Sequence, residues 1–152
     1  MDVCQYLSEE GINYIADEHP PAYTAQEVAA HEHVSGDMMA KPVIVHDGGQ
    51  YVMCVLPASY RLNLGKVSKA LEAIELRLAS EEEMGEIFDD CEIGAEPPFG
   101  NLYRMDTFVD QHLAEDEEIV FQAGSHSRSV RMRYSDYQTL ARPQVADLAE
   151  HL

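Results

Sequence analysis

Hydrophobic positions along the chain change period several times, and the changes mark a mixture of short helices and strands. Residues 3–10 fit a helix that Gly11 ends, and residues 13–16 fit a strand. Thr24-Ala25-Gln26-Glu27 carries the side chains of a capping box, in which Thr24 and Glu27 each satisfy an orphan amide at a helix start. The helix it opens is expected to reach about His33. Residues 43–46 and 51–56 are apolar and rich in β-branched side chains, and Asp47-Gly48-Gly49 between them supplies the positive φ angles of a hairpin turn. Tyr51-Val52-Met53-Cys54-Val55-Leu56 never alternates with polar residues, so it reads as a strand buried on both faces.

Leu64, Val67, Leu71 and Ile74 recur at helical spacing and predict a helix over 64–74. Residues 76–78 read as a strand. Ser80 and Glu83 form a second capping box, and Met84, Ile87 and Phe88 share one face of the helix that follows. Residues 94–100 are a loop. Residues 102–105, 119–123 and 129–133 read as strands, the last two joined by the small residues of 124–127, and short helices are expected near 135–141 and 144–151. Strands and helices mix without βαβ alternation, which points to an α+β fold on a mixed or antiparallel sheet. No repeat or composition break divides the chain, so residues 1–152 read as a single domain.

Charge changes this picture more than composition does. Twenty-eight acids against ten Lys and Arg leave a net charge of −18, and no basic residue other than histidine precedes Lys41. Such a surface keeps a protein soluble, suits a saline environment and repels nucleic acid at long range. No apolar run nears the roughly 20 residues of a membrane span. The N-terminus has no basic, apolar signal segment, so a cytoplasmic protein with no membrane partner is expected. Cys4, Cys54 and Cys91 are widely spaced with no C-x-x-C, and read as reduced thiols rather than a disulfide or zinc framework.

Three stretches could carry chemistry. In Gly94-Ala95-Glu96-Pro97-Pro98-Phe99-Gly100, prolines fix φ while glycines allow close backbone approach. The stretch is either a stiff turn or a rigid presenter of backbone N–H groups to a carbonyl or carboxylate. In Met38-Met39-Ala40-Lys41-Pro42-Val43, Pro42 holds Lys41 extended at the start or edge of a strand, on the face of Val43 and Val45. Lys41 either snorkels to water or binds an anion as a point charge. In Phe121-Gln122-Ala123-Gly124-Ser125-His126-Ser127, a turn after an apolar strand puts His126 at the rim of a site, while Ser125 lacks the G-x-S-x-G elbow of a serine nucleophile. His31 and His33 face apart on a helix, and Asp89-Asp90 has no further ligands in view, so no metal site is expected.

Taken in order, Ala40-Lys41-Pro42-Val43, Gly94-Ala95-Glu96-Pro97-Pro98-Phe99-Gly100 and Ala123-Gly124-Ser125-His126, with Leu78-Ala79-Ser80-Glu81 between the first two, resemble the YbaK/prolyl-tRNA-editing family over roughly residues 20–142. The resemblance implies a mixed α+β fold on a strongly bent sheet with flanking helices, and a free-standing deacylase. Such an enzyme hydrolyses the ester of mischarged aminoacyl-tRNA without metal or cofactor. Its partners would be the tRNA acceptor end and an aminoacyl-tRNA synthetase. By resemblance, Lys41, Gly94, Pro98 and His126 are the catalytic set, with Lys41 on the phosphate near the terminal adenosine. Ala95, Glu96, Pro97, Phe99, Gly100, Gly124 and Ser125 would bind substrate. Pro42 stands where some alanine-editing members have asparagine. A local basic rim from Lys41, Arg104 and either Arg128 or Arg131 would have to offset the acidic surface, unless these arginines pair within the sheet. The alternative is a non-catalytic module of the same fold that holds a small amino acid or nucleotide. Editing has a physical rationale, because a synthetase pocket separates side chains that differ by one methylene by only about 1–3 kcal/mol.

Overall fold

The computed structural model describes residues 2–152. In chain order these form α1 (Val3–Glu9), β1 (Tyr14–Glu18), α2 (Ala25–His31), β2 (Ala40–His46), β3 (Tyr51–Pro57), β4 (Tyr60–Leu62) and α3 (Leu64–Leu71). Then come β5 (Arg77–Leu78), α4 (Glu81–Ile87), β6 (Asp106–Asp110), β7 (Glu118–Gln122), β8 (Arg128–Arg133), α5 (Tyr134–Ala141), β9 (Gln144–Ala146) and β10 (Ala149–His151). No helix among the described residues is long and apolar enough to cross a membrane.

The fold is α+β, as expected, on a mixed sheet ordered β5-β2-β3-β6-β9. β5, β2 and β3 are antiparallel neighbours, whereas β3, β6 and β9 run parallel. A separate antiparallel sheet, β1-β8-β7, joins the first through a parallel bridge between Met39 and Val120. β10 and β4 form a small antiparallel pair.

β3 is buried on both faces, as its unbroken apolar run predicts. Met53 and Val55 enter the main core with Leu7 of α1, Phe121 of β7, Met132 of β8 and Tyr137 of α5. Val52 and Cys54 enter a second cluster with Val67 of α3, Phe108 and Leu148. Val28 and Ala29 of α2 cover Met39, Ala58 and Val120. The Ser80–Glu83 capping box forms in full. At α2 only half of the box forms: the Thr24 hydroxyl accepts the Glu27 N–H, but the Glu27 carboxylate accepts the N–H of Tyr23.

Three expected elements differ. The helix over 64–74 stops at Leu71, because Glu72 turns left-handed (φ 53°), and Ile74 is left fully exposed. Residues 102–105 are not a strand. A 3-10 turn, Gly100–Tyr103, occupies that stretch and the strand begins at Asp106. Residues 144–151 are two strands rather than a helix. The cause is long-range: the fully buried Asp110 takes the Leu148 N–H on Oδ1 at 2.9 Å, and the His112 N–H and ring Nδ1 on Oδ2 at 3.1 and 2.8 Å. This carboxylate holds the chain between β9 and β10 extended against the sheet.

Removing the anchor leaves the Leu148 N–H buried without a partner. Asp110→Ala is therefore expected to lower unfolding free energy in urea by about 2–3 kcal/mol. Asp116 acts in the opposite sense. Burial, then Asp37 and Glu115, push its carboxyl up to about 6, and its Oδ2 is buried without a partner. The folded chain thus binds this proton at a higher pH than the unfolded chain does. The charged form costs stability above about pH 6, and the cost fades as pH falls towards the unfolded value near 4. Asp116→Asn is expected to raise the thermal midpoint clearly at pH 8 and only slightly at pH 4, as calorimetry at the two values would read.

Candidate functional site

β2 pairs with β3 along its whole length but with β5 only at Val45 and His46, and β7 bridges the chain at Met39, so residues 41–43 lie on an open sheet edge. The Ile44 carbonyl points towards β5, where it accepts the Ala79 N–H. By strand alternation, Pro42 turns the same side of its backbone to that edge, where a missing N–H costs no ladder bond. Beside this edge lies a cavity of about 330 Å³, at the small end of the ligand-site range. Its apolar walls include Pro42, Val43, Leu78, Met84 and Ile93, and its polar lining comes from Lys41, Glu96 and Gln122. Lys41 is half-buried, makes no ion pair or hydrogen bond among the described residues, and has its pKa lowered by burial.

Behind the Ile93–Glu96 part of the wall, two turns are bonded to each other. Gly94 (φ 89°) and Gly124 (φ 88°) take backbone angles that side chains disfavour. The Gly124 N–H donates to the Ala95 carbonyl at 2.8 Å, and the Glu92 N–H donates to the Gly124 carbonyl at 2.9 Å. The His126 N–H donates to a Glu92 carboxylate oxygen, and the His126 ring donates from Nε2 to the Ile93 carbonyl at 2.7 Å. This bond fixes the proton on Nε2 and leaves Nδ1 buried without a partner. Tyr23 covers the other side of the ring, with centroids 4.8 Å apart.

Beyond Glu96 the loop runs into the core. Phe99 meets Tyr6, Phe121 and Tyr137 edge-on. The Pro98 carbonyl accepts the Tyr137 hydroxyl at 2.7 Å. A Cβ on Gly100 would clash with Thr107 Oγ1 and come within 2.8 Å of the Met105 carbonyl.

The structure therefore sorts the residues singled out in the sequence. Lys41, Gly94 and Glu96 line one cavity despite their distance in the chain. His126 stands behind its wall, holding the backbone at Ile93. Ala95, Pro98, Phe99 and Gly100 are buried supports. Pro97, Gly124 and Ser125 line a second hollow of about 280 Å³ with Cys91, Tyr103 and Arg128. Ser125 Oγ is bonded to Ser127 there, and burial pushes the Cys91 thiol up to about 12, so neither is an activated nucleophile. The expected basic rim does not form at the cavity: Arg104, Arg128 and Arg131 are absent from its lining, and Arg128 pairs with Asp2. Among the described residues no group of three or more His, Cys, Asp and Glu is placed to hold a metal ion.

Sequence reading passed over Gln122. On β7 it shares a face with Val120, where alternation calls for an apolar residue, and that misplaced amide was the available signal. Its Nε2 donates to the Gly94 carbonyl at 3.4 Å, and its Oε1 has no partner. Of the loop's own N–H groups, those of Gly94, Ala95, Phe99 and Gly100 are consumed internally and the prolines have none. Only the Glu96 N–H is left without a partner. The cavity lining thus brings a half-buried lysine, a buried glutamate and a buried glutamine together between apolar walls, and the loop beside it keeps one unpartnered backbone N–H, that of Glu96.

Comparison with known proteins shows the family of the chain. The chain is 27% identical over 146 residues to the multifunctional Ser/Thr-tRNA deacylase ProXp-y of Escherichia coli, covering 93% of this chain and 87% of that protein. It is 24% identical to the prolyl-tRNA editing protein ProX of Acetoanaerobium sticklandii, covering 90% and 86%. A solved structure assigned as a trans-editing enzyme for prolyl-tRNA synthetase superposes with a TM-score of 0.85 at 25% identity, over 97% of this chain and 94% of that one. A crystal structure of a hypothetical protein shares the fold with a TM-score of 0.88 at 23% identity, over 97% and 99%. The family model of the aminoacyl-tRNA editing domain matches residues 19–140, the span that holds Lys41, the glycine–proline loop and His126, and the chain belongs to that family.

Proposed function

We propose that this protein is a trans-acting deacylase that hydrolyses the ester of mischarged aminoacyl-tRNA. The observation that carries this reading is the meeting of Lys41 with Gly94 and Glu96 on one small cavity, in a chain of the editing family. Its relatives are named for deacylation of Ser/Thr-tRNA and for prolyl-tRNA editing.

The chemistry follows from what the cavity holds. Lys41, already short of water and of a counter-ion, gains a charge-assisted bond to the phosphate of the terminal nucleotide. The aminoacyl group then lies along the apolar walls with its ester beside the loop. The Glu96 N–H is the donor left to polarise the carbonyl, and it is held in place before substrate arrives. His126 acts as a positioning residue through the Ile93 carbonyl. Water attacks the ester, with the neighbouring ribose hydroxyl able to assist. Fixing water, ester and donor together supplies rate without a protein nucleophile. The enzyme acts in the cytoplasm, where a synthetase can deliver tRNA to its acidic surface.

Lys41→Ala is expected to lower kcat/KM about 10- to 100-fold on whichever member of a seryl-, threonyl-, alanyl- and cysteinyl-tRNA panel is cleaved fastest. Unchanged turnover would remove Lys41 from the mechanism. A panel that is bound but never hydrolysed would reassign the chain as a binding module. With Lys41 as the one cation on the cavity, about one phosphate of the single-stranded end is neutralised, and log affinity should fall with log salt at a slope near −0.7. Fluorescence anisotropy of labelled acceptor stems across a salt series reads that slope.

A further inference from the structure

Glu92 precedes the glycine–proline loop by two residues, and no sequence motif marks it. The residue is exposed, yet its side chain holds a buried group. One carboxylate oxygen accepts the backbone N–H of His126 at 3.2 Å, and His126 is only 8% exposed. This is the side chain's one bond among the described residues. The Glu92 backbone acts on the same two turns. Its N–H donates to the Gly124 carbonyl at 2.9 Å, and its carbonyl accepts the Ala95 N–H at 3.0 Å. One residue thus grips the turn of 124–127 at both Gly124 and His126, and the loop at Ala95.

What these bonds fix is the plane of a peptide. The Gly124 N–H donates to the Ala95 carbonyl at 2.8 Å. That carbonyl and the Glu96 N–H belong to one peptide unit, and the unit is trans, since no cis bond occurs among the described residues. The C=O and N–H of a trans peptide point in opposite directions. Holding the carbonyl on Gly124 therefore sends the Glu96 N–H away from that turn and polarises it as a donor. The aim of this N–H is only as firm as the turn that carries Gly124.

We infer that Glu92 is a positioning residue of the deacylase, whose carboxylate sets the turn that aims the Glu96 N–H. This rests on the deacylase reading, in which that N–H polarises the ester carbonyl, and deepens it. A donor aimed before the reaction acts mainly where charge develops in the transition state. Loosening the turn therefore slows the chemical step and spares binding. Lys41 takes no part in these bonds, so the grip on the phosphate stays as it is. The role calls for an acceptor at this place rather than a charge. A glutamine side-chain oxygen accepts the same N–H, and an alanine leaves it buried without a partner.

The test is steady-state deacylation of the best-cleaved aminoacyl-tRNA by the wild-type chain, Glu92→Ala and Glu92→Gln, each first shown to be folded by circular dichroism. Glu92→Ala should lower kcat about 10-fold with KM unchanged, the pattern of an interaction lost in the transition state alone. Glu92→Gln should keep kcat within about 3-fold of the wild-type value. If Glu92 only braced the fold, the folded alanine variant would turn over at the wild-type rate, and that result overturns the inference. So does a glutamine variant as slow as the alanine variant, or an alanine variant slowed through KM alone. Should Glu92→Ala not fold, Glu92→Asp takes its place with the same expectations, since its carboxylate falls one methylene short of the His126 amide. A wild-type chain inert on every substrate ends the deacylase reading and this inference with it. A failed variant comparison on an active wild-type chain ends the inference alone.

Discussion

The bond from the Gly124 amide to the Ala95 carbonyl, with its companion from Glu92 to Gly124, is the join on which the site depends. It ties a turn between two antiparallel strands to a loop that approaches from the other side of the core. Each partner needs a glycine at positive φ to make the approach. His126 and Gln122 then add side-chain bonds to the same short backbone segment, at Ile93 and Gly94. Without the join, Glu96 would have no fixed place on the cavity it shares with Lys41. The core below keeps the arrangement rigid, since Phe99 and the Pro98 carbonyl are both held by Tyr137.

What could be read from the chain was what local physics dictates. β3 announced itself through an apolar run too long to have a wet face. The two site turns did so through glycine and proline, whose backbone preferences are fixed regardless of context. What could not be read was decided by distant partners. Gln144-Val145-Ala146-Asp147-Leu148-Ala149-Glu150-His151 reads as a passable helix until Asp110 claims the Leu148 amide. β6 hides between terminal aspartates, and Asp110 is buried only because its three hydrogen bonds exist. In the site, Lys41 and Gly94 were visible but the function of their neighbours was not. His126 looked like a rim residue and stands behind the wall, and Gln122 looked like an ordinary strand residue.

The strong negative charge acquires a different meaning once the cavity is seen. A chain at −18 gains little from general attraction to a polyanion, so under the proposed function one ammonium would do locally what a basic surface does elsewhere. Lys41 is suited to this because it is half-buried and unpaired. An exposed lysine among so many carboxylates would be neutralised by its nearest neighbour, as Lys66 is by Asp147 and Arg61 by Glu150.

The open edge of β2 brings a liability of its own. Unpaired strand edges invite a strand from another molecule to add on, and that is a common route to aggregation. Here the edge cannot be closed by a neighbouring strand without filling the cavity. Pro42 offers an incoming strand no N–H, and Lys41 beside it would place a charge in the new seam. The pair that opens the cavity thus also guards the sheet against self-association, and a proline to asparagine exchange at this position would alter solubility as well as any ligand preference.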